Sequence, residues 1–199
     1  MATQARSIPG KAAVLVAVCL AVALELTLVL TRDEGSPNST TASPVGHALT
    51  VFGPPASGVI GFNRVQQGNT YRFAFPIPHN ASSGPVVLTG VSIEHVPAGA
   101  RVLGYPIYSL KEVGAYPLSS DDSDSTDPMA LPTRKDYSAS GITIAPRSDS
   151  DYFAMVKVRV VGSVSQALSG CTYTYREGSQ LYHQTFRCEY QFGEVSTSP

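Results

Sequence analysis

The sequence predicts an all-β domain, a β-sandwich, behind a single membrane-spanning helix. Three observations carry this. One apolar run of helical length lies near the start of the chain. Short segments of alternating apolar and polar residues recur through the rest. No window of useful length repeats apolar residues at helical spacing, and Pro and Gly are scattered throughout.

The apolar run is Ala12 to Thr31 (AAVLVAVCLAVALELTLVLT), interrupted only by Glu25. At about 1.5 Å per residue, roughly 20 helical residues match the hydrocarbon thickness of a bilayer. Arg6 and Lys11 precede the run and Arg32 follows it, so residues 1–11 are expected on the cytoplasmic side and the bulk of the chain outside. The rival to an uncleaved anchor is a signal peptide cut after Ala21-Val22-Ala23, a small-x-small site. Apolar residues continue past that site to Leu30, whereas a signal peptide turns polar after its cut. Lipidation at Cys19 is disfavoured because Val18, not a small residue, precedes it. Glu25 sits in the outer half of the span. An acidic residue there is either a contact for a partner helix or reaches the outer interface.

Residues 32–47 (RDEGSPNSTTASPVGH) hold almost no large apolar side chain and read as a flexible stalk. Residues 48–195 are long enough for one domain with a real core, and 196–199 read as a short tail. Within the domain, Thr70–Phe75 alternates, with Tyr71, Phe73 and Phe75 on one face. Val86–Glu94 is a second strand kinked at Gly90. Arg101–Tyr108 is a third, with Pro106 marking an edge or bulge. Gly141–Ala145 is short. Asp151–Val161 is the clearest, with Tyr152, Ala154, Val156, Val158 and Val160 opposite Lys157 and Arg159.

A hairpin closes the domain. Thr172–Arg176 and Leu181–Phe192 flank Glu177-Gly178-Ser179-Gln180. The chain has three cysteines, and Cys171 and Cys188 are the two outside the apolar run. Both fall on the aromatic side of the hairpin, and an isolated pair in an oxidising compartment reads as one disulfide. A turn centred between Ser179 and Gln180 would place the two cysteines directly opposite. A turn centred at Gly178-Ser179 would make them diagonal neighbours, which bridge only with a bulge. Trp is absent and the cysteines are close in sequence. The sandwich is therefore immunoglobulin-like in the broad sense, without the antibody-type bridge between sheets.

The formal net charge is −1, so no large basic surface for nucleic acid is implied. Ser119–Asp127 (SSDDSDSTD) is the one charge cluster. Asp122, Asp124 and Asp127 have a spacing that could offer oxygen ligands to calcium, but the loop lacks the glycine and distal Glu of an EF-hand. The plainer reading is a solvated acidic loop. Asn38-Ser39-Thr40 and Asn80-Ala81-Ser82 match the glycosylation acceptor pattern. His47, His79, His95 and His183 are widely separated, and no Gly-x-Ser-x-Gly elbow, phosphate-binding loop or thioredoxin-type Cys pair occurs. No catalytic residue, cofactor or enzymatic activity is expected.

In order along the chain, Pro85–Val91, Pro97, Val102-Leu103-Gly104, Gly141–Pro146, Val156–Val160 and Tyr173–Arg176 resemble uncharacterised membrane-anchored proteins of actinobacteria. The resemblance implies an extracytoplasmic β-sandwich held at the cell membrane and transfers no functional residue. The expected role is an interaction or structural module of the cell envelope, with another envelope or membrane protein as partner. The alternative is a module for a small ligand or calcium, or a secreted form after cleavage.

Overall fold

The computed structural model describes residues 43–124, 126 and 129–197. The apolar run with Glu25 and Cys19, most of the stalk, Asn38 and Asp127 lie outside the described residues. Among the described residues no helix is long and apolar enough to cross a membrane. The two α-helices there, α1 (Pro54–Ser57) and α2 (Leu110–Val113), are each one turn. The domain is all-β, as expected.

Two five-stranded sheets form most of the domain. The first is built from β2 (Val59–Gln66), β5 (Val86–His95), β9 (Ile142–Ile144), β12 (Leu168–Glu177) and β13 (Gln180–Ser196), in the order β2-β13-β12-β5-β9. The second contains β3 (Thr70–Ala74), β6 (Ala100–Gly104), β8 (Ser119–Asp121) and β11 (Tyr152–Val160), in the order β6-β11-β3-β8. Its fifth strand, β7 (Ile107–Ser109), continues the β6 side of β11. A small third sheet lines up β1 (Leu49–Phe52), β4 (Ile77–Asn80) and β10 (Ser148–Asp149) in the order β1-β4-β10.

Alternation along β3, β11, β12 and β13 aims their apolar residues at the same interior. Phe73 of β3 stacks on Tyr190 of β13 with ring centroids 5.1 Å apart and meets Phe192 edge-on at 5.2 Å. Phe75 meets Tyr173 of β12 edge-on at 5.8 Å. Val156, Val158 and Val160 are fully buried beneath them. Tyrosine is tolerated here because each buried hydroxyl finds a partner. Tyr190, Tyr116 and Tyr173 donate to the carbonyls of Ala74, Phe75 and Pro76, three residues in succession. This row ties the first sheet, and the segment after α2, to the end of β3.

Several sequence expectations change in detail. The predicted strand Arg101–Tyr108 is two strands, β6 and β7, because Tyr105-Pro106 breaks the ladder, and β6 is an edge as Pro106 suggested. The kink at Gly90 is real: the β12–β5 register slips between Thr174 and Tyr175, opposite Gly90 and Leu88. On β11 the face carrying Lys157 is not simply polar. Phe153 and Met155 join Ala74, Tyr108 and Leu131 in a second apolar cluster, covered by Leu110, Val113, Tyr116 and Met129. The long segment between β7 and β9 thus roofs the outer side of the second sheet.

The compact unit begins at Ser43. Val45 forms a parallel bridge with His183, and the Gly46 amide donates to the His183 carbonyl at 2.8 Å. Residues 43–47, expected at the end of the stalk, therefore run along β13.

Candidate functional site

The disulfide is present, with Cys171 and Cys188 5.8 Å apart at Cα. Glu177 faces Gln180, so the turn centres on Gly178-Ser179, and Cys171 faces Phe186 rather than Cys188. The register slips between Ser169 and Cys171, and that bulge brings Cys188 within reach. Gly170 sits at the slip with φ +78°, where a Cβ would lie 2.6 Å from a Glu94 carboxylate oxygen. Only glycine suits both demands. Both sulfurs are buried, and Tyr190 Oη lies 3.2 Å from Cys171 Sγ. The bridge spans a separation of 17 residues, worth about 3 kcal/mol by loop entropy. Replacing both cysteines by Ala is expected to lower urea stability by about that amount. An unchanged midpoint would show that the bulge alone fixes this corner.

The acidic loop folds back on the second sheet. Asp122 pairs with Arg72 of β3, a guanidinium only 3 % exposed, and its other oxygen lies 3.6 Å from Lys157 Nζ. Burial pushes the Asp122 carboxyl up, against the pull of the Arg72 and Lys157 charges. Asp124 is exposed and accepts from the Thr126 hydroxyl at 2.6 Å and its amide at 2.9 Å, bonds that hold its carboxyl below the usual range. Asp121 accepts from the Ser123 hydroxyl and amide in the same way. The aspartates of 121–124 thus close turns or neutralise two cations. Among the described residues no three His, Cys, Asp or Glu side chains converge on a common metal position.

Asn80 is fully buried. Its amide nitrogen donates to the carbonyls of Gly84, Ile144 and Ala145, and its oxygen accepts from the Ser82 amide and hydroxyl. The acceptor pattern at Asn80 is a structural lock, with no room for a glycan.

One polar arrangement left no trace in the sequence. Thr50, His79 and Asp149 occupy one row across the third sheet. His79 Nδ1 lies 2.7 Å from Asp149 Oδ1. Asp149 and Thr50 are exposed and His79 is a third exposed, so the row lies on an open strand surface. A His–carboxylate pair there is a cross-strand contact of ordinary strength. His47 and His95 are exposed elsewhere.

An open groove of about 690 Å³ runs along β2 and β13. The two strands run parallel, with Gly61 beside Gln191 and Arg64 beside Glu194. A Cβ on Gly193 would lie 2.1 Å from the Asn63 carbonyl oxygen, so the strands meet backbone to backbone there. The floor is main chain, and the walls carry Asn63, Arg64, Gln191 and Glu194. On its outer side β2 pairs with no other strand among the described residues, and Val59 at its start is 53 % exposed.

No family model matches the sequence, and no curated protein matches it. Among solved structures, the VesB protease of Vibrio cholerae is similar at a TM-score of 0.30 and 10 % identity, over 67 % of this chain. The match spans 30 % of the protease, and a likeness of that size carries no inference about activity.

Proposed function

We propose that this chain is a single-pass, membrane-anchored β-sandwich of the immunoglobulin-like kind, with its domain outside the membrane, and that it works as an interaction module of the cell envelope. The observation that carries the reading is the outer edge of β2. It presents eight residues, VIGFNRVQ, with no Pro and one charge, beside a groove whose floor is main chain. An uncovered edge of that length offers a row of amides and carbonyls to an incoming strand. Natural sheets that avoid such pairing place charges or Pro on the edge, and β2 has only Arg64. The apolar run and its flanking charges support the anchor. The buried disulfide suits an oxidising compartment, and the actinobacterial resemblance points the same way.

Affinity capture from the native membrane tests the reading. The full chain should retain an envelope protein that is lost with Val59→Lys, while thermal unfolding of the variant stays unchanged. Val59 is exposed, so a lysine there is tolerated in the fold and obstructs only the edge. Equal capture by both proteins would remove β2 as the contact.

A further inference from the structure

The outer face of β6 and β11 holds a charge arrangement that the fold does not need. Arg101 and Arg159 are direct cross-strand partners, and both are exposed. Like charges placed opposite each other destabilise a strand pair. Neither arginine takes part in an ion pair among the described residues. Asp122, which pairs with the other cations of this face, is already held by Arg72 and Lys157. Val158 and Val160 point into the core, so alternation puts Arg159 and Val161 on the outside, Val161 at 46 % exposure. On β6, Val102 packs inward, and Leu103 is 40 % exposed beside Arg101. Two guanidiniums outside any ion pair thus sit among aliphatic side chains, Arg101 on the edge strand β6 and Arg159 on its neighbour β11.

We infer that this face docks on an anionic bilayer surface. Guanidiniums bind phosphate oxygens as a fork, and exposed Leu and Val suit the boundary between headgroups and acyl chains. Each arginine near an anionic surface contributes about 1 kcal/mol, too little to hold a free protein and enough to orient a tethered one. The inference rests on the anchor proposed above. From Thr31 to Ser43 the chain has about twelve residues, a reach of roughly 40 Å at full extension, so the bilayer is always at high local concentration.

The test uses the full chain in lipid nanodiscs, either neutral phosphatidylcholine or with roughly a third phosphatidylglycerol. Amide hydrogen exchange at residues 99–104 and 157–161 is expected to slow in the anionic discs only. In Arg101→Gln/Arg159→Gln the ratio of docked to undocked domain should fall roughly 30-fold, and the protection should vanish. The same variant should unfold at an equal or higher temperature, because a like-charge pair has gone. Equal exchange in the two kinds of disc would overturn the inference, as would protection that survives in the double variant. Protection by added polyglutamate in neutral discs, with none from anionic lipid, would overturn it in favour of an acidic protein partner. Failure of the chain to enter discs would count against the anchor alone. Exchange of the full chain held by an N-terminal polyhistidine tag on nickel-chelating lipid, in anionic or neutral vesicles, would then decide the docking face.

Discussion

Above pH 10 the domain is expected to lose about 3 kcal/mol of stability per pH unit, and the cause is the buried hydroxyls of Tyr173 and Tyr190. Both side chains are fully buried. Burial raises both far above the ordinary tyrosine value of 10.0, with Tyr190 and Tyr116 adding to the rise at Tyr173 and Tyr116 adding to that at Tyr190. Below pH 10 both are protonated in the folded and unfolded chain, and their contribution is fully present. Above it, the unfolded chain releases two protons that the folded chain keeps. The unfolded state then binds fewer protons, so stability falls with pH at about 1.4 kcal/mol per unit for each group. Tyr116, raised by burial as well, steepens the loss further, as do Tyr71, Tyr108 and Tyr175. Urea denaturation at a series of pH values, read beside tyrosinate absorbance, checks this. The exposed members of the ten tyrosines should ionise gradually, and Tyr173 and Tyr190 only with the unfolding transition. Tyr190→Phe should lower stability at neutral pH, because the Ala74 carbonyl loses its donor, and should flatten the alkaline slope by about 1.4 kcal/mol per unit. Complete titration with the far-ultraviolet dichroism intact would refute the argument.

What the sequence made legible follows from where its information lies. Alternation over Thr70–Phe75 and Asp151–Val161 marks a buried face, and those residues are the centre of the core. The hairpin was legible down to its two registers, and Gly170 decides between them by allowing the bulge that Gly178-Ser179 requires. Periodicity reports one face at a time, however. Phe153 and Met155 looked outward on β11, and only the distant segment holding Leu131 makes them interior. β2 was missed because Ile60, Phe62 and Val65 face the core without a constant step, and its partner β13 is some 130 residues away in a parallel pair. The row Thr50–His79–Asp149 and the pair Arg72–Asp122 are products of strand order, which no local pattern encodes. The acidic loop was read correctly as charged, but its nearest ligands are cations of its own domain.

Asn80→Asp is expected to be the most damaging single isosteric change in the domain, costing about 3 kcal/mol at neutral pH. The asparagine joins its own turn, through Gly84, to the end of β9 and the residue after it, through Ile144 and Ala145. One amide nitrogen thus serves three carbonyls, of which Gly84 also accepts from the Ser82 hydroxyl and Ala145 from the Ser148 hydroxyl. A carboxylate of the same shape removes that donor and sets a buried negative charge against three carbonyl oxygens. The oxygen side of the residue, which accepts from Ser82, would survive. Acidification should restore part of the loss, because a protonated carboxyl can donate one of the missing bonds and carries no charge. The sign is that of an acid whose folded value is raised: stability rises as pH falls through that value. Asn80→Ala, which removes donor and acceptor together, should lose a similar amount with no such pH dependence. Denaturation of both variants at neutral and acid pH separates charge burial from lost hydrogen bonding. Equal pH profiles for the two would mean that the buried charge contributes nothing and that the lost donor is the whole effect. The same geometry governs the sequon. A glycan on the Asn80 nitrogen would replace one of its two hydrogens and has no space at a fully buried side chain, so folded protein from a eukaryotic secretory host should be unmodified at this residue.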